Sequence, residues 1–94
     1  MKNPNYFELT PRYDARQSFY GKAKVLIVGQ FITLKSYDTE ILTIDTEKHT
    51  FIKKWSSWSH TTGRHIVEFC KQYYLPISCK ADYSKLETFK EYNY

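Results

Sequence analysis

Short gaps between strand-like segments are the feature that most restricts how this chain folds. β-branched and aromatic residues alternate with polar ones in four runs, at residues 23–28, 31–35, 40–45 and 49–55. Parallel strands need a crossover of about a dozen residues or more, and every gap here is far shorter. The sequence therefore predicts an antiparallel meander of three to five strands.

The turns between these runs are marked by polar residues and glycine. Residues 36–38 (S-Y-D) predict one turn, and residues 46–48 (T-E-K) predict a hairpin loop. Gly29 and Gln30 fit either a two-residue turn with glycine first or a bulge in one long bent strand, and both readings stay open at this point.

One amphipathic segment after the strands predicts the main helix. Residues 56–63 (S-S-W-S-H-T-T-G) are rich in helix-capping side chains. The candidate N-caps are Ser59, Thr61 and Thr62. Apolar residues then recur at helical spacing, at Ile66, Phe69, Cys70 and Tyr73. Pro76 ends the pattern, so we expect an α+β fold with this helix packed on one face of the sheet.

The two ends of the chain differ from the middle. Residues 1–18 hold two of the three prolines and isolated aromatics among charges, which predicts an N-terminal arm before a single domain at 19–94. Near the other end, Ser84 and Glu87 form a capping box that predicts a short C-terminal helix. A chain of 94 residues has room for one hydrophobic core and not for two.

Charge and cysteine content limit the classes of function. The formal net charge of +4 permits contact with phosphate or with an acidic protein. Cys70 and Cys79 form neither a metal knuckle nor a disulfide framework, so we expect no metal and no cofactor, and Cys70 fits a packed free thiol. No apolar run is long enough to cross a membrane, and no secretion signal is visible. We therefore expect a cytoplasmic protein with no membrane partner.

The histidines do not predict an enzyme. His60 and His65 are five residues apart, which separates them by about 140° on a helix and prevents them from binding one metal from one face. His65 and Glu68 have the spacing of an ordinary surface pair. The chain holds no HExxH, GxSxG, GxGxxG or P-loop motif, so we expect no catalytic residue. A small hydrolase using either histidine is the least favoured hypothesis.

The segment before the helix is the leading candidate for a binding surface. Trp58, His60 and Arg64, here called the pre-helix surface, stand where free backbone N–H groups favour anions. The competing interpretation is that this segment only caps the helix and anchors the sheet. We predict that these three residues and Tyr37 contact a macromolecular partner, with Lys53 and Lys54 as steering charges.

Lysines on the predicted sheet give an alternative. Lys22, Lys24, Lys35, Lys53 and Lys54 alternate with aromatic residues of neighbouring strands. If they share one exposed face, that face suits single-stranded nucleic acid. The plainer interpretation is a solvated face whose lysines protect an edge from aggregation.

Three segments carry a resemblance to a known group of proteins. They are S-F-Y-G-K-A at 18–23, L-K-S-Y-D-T at 34–39 and W-S-H-T-T-G-R-H-I-V-E-F at 58–69. Over residues 18–72 the chain resembles small phage and mobile-element proteins of Firmicutes, of unknown function, that share L-x-S-Y-x-T and S-x-T-T-x-R-H-x-x-E-F. The resemblance implies a non-enzymatic accessory protein that acts on host or phage machinery. Inhibitors of CRISPR nucleases share this size and origin. We therefore expect the protein to act in the cytoplasm of a host cell, where it would bind and occlude a host protein or ribonucleoprotein as an anti-CRISPR inhibitor does.

Overall fold

The fold is an α+β arrangement of one sheet and two helices, seen in a computed structural model that describes residues 5–94. The strands are β1 (Asn5–Glu8), β2 (Ala23–Val28), β3 (Phe31–Ser36), β4 (Thr39–Asp45), β5 (Thr50–Lys53) and β6 (Glu91–Asn93). The helices are α1 (His60–Tyr73) and α2 (Lys80–Ser84). Neighbouring strands pair antiparallel in sequence order. The predicted class, meander and main helix are confirmed.

The described residues form six strands, so the prediction of three to five strands is wrong. The two additional strands are β1 and β6, which lie at the edges of the sheet. β1 has four exposed residues, and β6 has three residues with one half-buried. An edge strand buries little surface, so no alternating pattern marks it in the sequence. β1 lies in the predicted arm, whose residues 1–4 are outside the described residues, and the division of the chain at residue 18 stays a prediction.

Two tight turns fix the register of β2, β3 and β4. Gly29 and Gln30 form the two-residue turn between β2 and β3, and Gly29 has the positive φ of +59° that a glycine-first turn requires. Between β3 and β4, Tyr37 and Asp38 have φ values of 50° and 66°. Aspartate tolerates this left-handed backbone, whereas tyrosine rarely adopts it. The turn therefore holds Tyr37 in an unfavourable conformation, with its side chain exposed.

Helix α1 begins and ends at specific capping contacts. The Ser59 hydroxyl accepts a hydrogen bond from the backbone N–H of Thr62 at 3.1 Å, so Ser59 is the N-cap among the three candidates. The helix ends before the predicted stop at Pro76, because Tyr74 turns left-handed and its N–H donates to the Cys70 carbonyl. Neither helix of the described chain is long and apolar enough to cross a membrane.

The hydrophobic core lies between α1 and one face of the sheet. Ile66, Phe69 and Cys70 are fully buried on the helix side. The sheet contributes Val25, Leu34, Leu42, Ile44 and Phe51. Burial of each such aliphatic or aromatic side chain stabilises the fold by about 1.5–3 kcal/mol. Burial also raises the pKa of the Cys70 thiol, which confirms the predicted packed free thiol.

A polar contact joins the end of β3 to the start of α1. The Ser36 hydroxyl lies 3.0 Å from the Thr62 hydroxyl and 2.8 Å from Nδ1 of His65. All three side chains are buried. Burial lowers the pKa of His65 from 6.5 to about 4, against a weaker opposing effect of Asp14. The imidazole is therefore neutral near pH 7.

The predicted short second helix is present, but it lies before the capping box at Ser84 and not after it. α2 ends at Ser84, the residue that was predicted to begin it. The N–H of Glu87 donates to the Tyr92 hydroxyl, and the Lys53 ammonium donates to the carbonyls of Tyr83 and Leu86. These contacts draw residues 85–90 across the sheet and lead them into β6, so they do not continue as a helix.

Candidate functional site

Trp58 of the pre-helix surface is largely committed to the fold. Its indole is half-buried and packs against the Tyr83 ring, with 5.5 Å between ring centroids. It also covers Gly63, where an added Cβ would lie 2.5 Å from the indole ring. The helix thus needs glycine at this position to admit the indole, and only part of the ring remains for a partner.

Arg64 is also engaged within the chain. Its Nη1 donates to Oδ1 of Asp14 at 2.8 Å, and the Asp14 side chain is only 13% exposed. Its Nε is buried and has no hydrogen-bond partner among the described residues. His60, at the first position of α1, is exposed. Trp58, His60 and Arg64 line one shallow depression, in which the charge of the guanidinium is already balanced.

The two lysines predicted as steering charges differ sharply. Lys53 is 3% exposed, so its prediction as a surface charge is wrong. Its ammonium donates to two backbone carbonyls and lies 4.4 Å from the centre of the Tyr83 ring, and burial lowers its pKa. Lys53 shares the inward face of β5 with Phe51, two residues earlier, and this alternation was the available signal for its burial. Lys54 remains near the surface, where its ammonium pairs with Glu40 at 3.0 Å.

A second cluster of positive charge lies elsewhere, at one end of β1–β3. Five residues make up what is here called the lysine–tyrosine face: Tyr6, Lys22, Lys24, Lys35 and Tyr37. Together with Gly21 and Asp38 they line a cavity of about 300 Å³. The Tyr6 ring lies 5.2 Å from the Lys24 ammonium and 5.6 Å from that of Lys35. The Lys22 ammonium lies 5.9 Å from the centre of the Tyr37 ring.

Strand register explains why these charges meet. Lys24 and Lys35 are direct cross-strand partners on the face of the sheet opposite α1. Like charges in such positions destabilise a sheet, and the Tyr6 ring between the two ammonium groups offsets part of this by cation–π attraction. An anion bound there would remove the remaining repulsion.

The ion pairs near the three lysines of the face decide how much of their charge is available to a ligand. None forms a salt bridge with a carboxylate of residues 5–94. Glu40, which lies opposite Lys35, is paired with Lys54. Acidic neighbours are Asp38, which lines the cavity, and Glu8, which is opposite Lys24 and whose carboxylate comes close to Gly21. The local balance is three positive charges against two negative ones.

A second cavity, of about 250 Å³, adjoins the first. Lys22 and Tyr37 line both cavities. The other lining residues are Arg16, Ser18, Phe19, Tyr20, Thr61, Arg64 and His65. Apart from Arg16, every residue of this lining falls in one of the three segments singled out in the sequence, 18–23, 34–39 and 58–69. The fold thus gathers the three segments around one cavity.

Of the residues predicted to bind a partner, only Tyr37 belongs to the lysine–tyrosine face. Trp58, His60 and Lys54 lie outside both cavities, and Lys53 is buried. Sequence reasoning missed Tyr6 because it was assigned to an arm. Tyr6 and Glu8 alternate along this segment. Only the pairing of β1 with β2 shows that they lie beside Lys24.

Two further observations concern metal chemistry and relatives. Within residues 5–94, no group of three or more His, Cys, Asp or Glu side chains is arranged to hold a metal ion. A family model, described as a family of unknown function (DUF8033), matches residues 7–85. No curated protein and no solved structure matches the chain. The matched range contains both cavities except for Tyr6 and therefore includes most of the candidate site.

Proposed function

The chain belongs to the DUF8033 family of unknown function. We propose that it is a non-enzymatic protein that binds single-stranded nucleic acid on its lysine–tyrosine face. One observation carries the proposal: three ammonium groups, which pair with no carboxylate in the described part of the chain, lie close to two exposed tyrosine rings. Tyr6 is 49% exposed and Tyr37 is 53% exposed, so both rings are available to a ligand.

Charge supports a polyanion as the ligand. Phosphates bound by lysines release counterions, which favours binding without any requirement for sequence. Within residues 5–94, Lys22, Lys24 and Lys35 have no salt bridge to give up when they bind phosphate. Arg64, by contrast, would have to leave Asp14 before it contacts an anion. We therefore expect a phosphate to bind more favourably at the lysine–tyrosine face than at Arg64.

The exposed rings favour a single strand over a duplex. Unpaired bases present their flat faces for stacking on aromatic side chains, whereas a duplex hides them. Duplex readers most often insert a helix or a two-stranded ribbon into a groove, and α1 lies on the opposite side of the sheet from Lys24 and Lys35. An open sheet face with rings and lysines matches the stacking mode of single-strand binders.

Occlusion of a host nuclease, the leading hypothesis from the sequence, has less physical support. It relied on Trp58 and Arg64 facing outward, and both are engaged within the chain. The phage origin and the anti-CRISPR-like activity stay predictions from the resemblance. Capture of a protein partner in place of nucleic acid is an outcome of the experiment below.

The test is a fluorescence-anisotropy titration of a labelled oligothymidylate of about 12 nucleotides. Three phosphate contacts on single-stranded DNA predict a slope of about −2 in log affinity against log salt concentration. The affinity should therefore fall about 20-fold over a fourfold rise in salt. The triple variant Lys22→Gln, Lys24→Gln, Lys35→Gln should lose most of the binding and most of this slope.

A matched control removes the same charge elsewhere. Lys71→Gln, Lys80→Gln, Lys85→Gln neutralises three exposed lysines that line neither cavity. This variant should keep the affinity within about threefold, because distant surface charges are screened. Equal losses in the two triple variants would show nonspecific attraction and contradict the proposal. Absence of binding at low salt, together with retention of a host protein by the unchanged chain, would replace it with the protein-partner hypothesis.

A further inference from the structure

The second cavity continues the lysine–tyrosine face and differs from it in chemistry. The first cavity is lined by ammonium groups, and the second has Phe19 and His65 packed edge to face at 4.7 Å. His65 is held by Ser36 through Nδ1 and is neutral near pH 7. This aromatic wall carries no net charge. Arg16, Lys22 and Arg64 also line the cavity, and of these Arg64 is paired with Asp14. The wall itself suits a flat, uncharged ring.

Two exposed tyrosines border this cavity, and both have left-handed backbone. Tyr20 has φ of 55° and is 76% exposed, and Tyr37 has φ of 50°. Such φ values are unfavourable for tyrosine and persist where surrounding contacts enforce them. Here the Ser18 hydroxyl accepts from the N–H of Tyr20, and the N–H of Tyr37 donates to the Lys22 carbonyl at 2.9 Å. The fold thus fixes the backbone that presents both rings to solvent.

Lys22 connects the two cavities. It lines both, and its ammonium lies over the Tyr37 ring. In a nucleic acid strand a base is joined to its own phosphate through one sugar. A strand with a phosphate at Lys22 therefore carries a base within reach of the adjoining cavity, whose volume of about 250 Å³ admits one base.

We propose that the second cavity receives one unstacked base of the bound strand, stacked on Tyr20 or Tyr37, while the lysines of the first cavity hold the adjacent phosphates. This inference rests on the proposed function and adds a position for the base to it. Stacking on an aromatic side chain contributes about 1–3 kcal/mol per base. The protein should therefore distinguish a strand with bases from a strand of equal charge without them.

The test compares two probes of equal length and charge, oligothymidylate and an oligomer of abasic sugar phosphates. The unchanged protein should bind oligothymidylate about 5- to 150-fold more tightly. The double variant Tyr20→Asn, Tyr37→Asn should lose most of this preference. Tyr20→Asn alone, which changes no residue of the lysine–tyrosine face, should keep the affinity of the unchanged protein for the abasic probe. Asparagine is chosen because it tolerates a positive φ and leaves the turns intact.

Tyr74→Asn supplies the matched control. Tyr74 is another exposed tyrosine with left-handed backbone, at the C-terminus of α1, and it lines neither cavity. Its replacement should leave the preference for oligothymidylate unchanged. If Tyr74→Asn reduced that preference as much as the double variant does, the base would not occupy the second cavity.

The outcomes separate this inference from the proposed function. Salt-dependent binding of both probes with equal affinity would overturn the base site and leave the lysine–tyrosine face as a phosphate-binding surface. Binding of neither probe would overturn both. A preference for oligothymidylate that is undiminished in the double variant would place the base elsewhere and would also overturn the inference.

Discussion

The pre-helix surface and the lysine–tyrosine face contain similar residues and use them in opposite ways. In the pre-helix surface, Arg64 is paired with Asp14, and the Trp58 indole is packed on Gly63 and Tyr83. In the lysine–tyrosine face, the ammonium groups have no carboxylate partner among the described residues, and the rings are about half exposed. A cation or an aromatic ring is available to a ligand only where it is not already paired or packed within the chain.

The contrast also applies to single lysines. Lys53 and Lys35 both lie on strands and both have an ammonium near a tyrosine ring. Lys53 is buried and satisfied by two backbone carbonyls, whereas Lys35 is half-buried with its ammonium at the lining of a cavity. The strand face on which each residue falls decides between a structural and a binding role.

Trp58→Ala gives the largest expected effect and addresses the pre-helix side of the comparison. Removing a half-buried indole that packs on Tyr83 should lower the free energy of unfolding by about 3 kcal/mol. Affinity for oligothymidylate, measured below the unfolding transition, should stay within about twofold. Urea unfolding and anisotropy measure the two quantities. A large loss of affinity at unchanged stability would return the binding role to the pre-helix surface.

Gly63→Ala tests the same contact from the helix side. An added Cβ would meet the indole ring at 2.5 Å, which costs more than the gain of about 1 kcal/mol in helix propensity. We expect a net loss of about 2 kcal/mol in urea unfolding. In the Trp58→Ala background the clash is absent, so Gly63→Ala should there stabilise the helix. Destabilisation in both backgrounds would refute the proposed packing.

The pH dependence of stability tests the buried contact between His65 and Ser36 at the second cavity. Burial lowers the pKa of His65 to about 4 in the folded state, against 6.5 when unfolded. The unfolded chain therefore binds more protons between these values, and stability is lost as the pH falls through them. From pH 7 to pH 5 the unchanged protein should lose about 2 kcal/mol more than His65→Gln does. Parallel pH profiles of the two proteins would contradict a buried neutral imidazole.

Asp38→Asn gives the smallest expected effect and addresses the lysine–tyrosine side. Asp38 places a negative charge in the first cavity, and asparagine keeps the left-handed turn at φ of 66°. Affinity for oligothymidylate should rise by about threefold at low salt, and the gain should vanish at high salt. Glu87→Gln, which lines neither cavity, serves as the control. A weaker affinity in Asp38→Asn would mean that this carboxylate takes part in binding.

The sequence predicted the parts of the fold that depend on local pattern. The meander followed from short gaps, and α1 followed from apolar spacing and three candidate capping residues, of which Ser59 is the N-cap. β1 and β6 escaped because edge strands show no such pattern, and the capping box at Ser84 was overridden by contacts made across the sheet. Local propensity yields where tertiary contacts stabilise a different course of the chain.

The candidate site was predicted in part only, because its charges meet through strand register. The interleaved lysines and aromatics suggested a sheet face, and Lys22, Lys24 and Lys35 do lie together. The alternation with Phe51 could have separated Lys53 from these three lysines. Nothing in the sequence placed the Tyr6 ring near the ammonium groups of Lys24 and Lys35. The engagement of Arg64 by Asp14, fifty residues earlier in the chain, was equally invisible.

The most direct measurement is an NMR titration of the labelled protein with oligothymidylate, which observes both regions at once. The account predicts shifts of the backbone amides of Lys22, Lys24, Lys35 and Tyr37, with the indole N–H signal of Trp58 unmoved. Shifts at Trp58 and His60 with the four amides unmoved would contradict it.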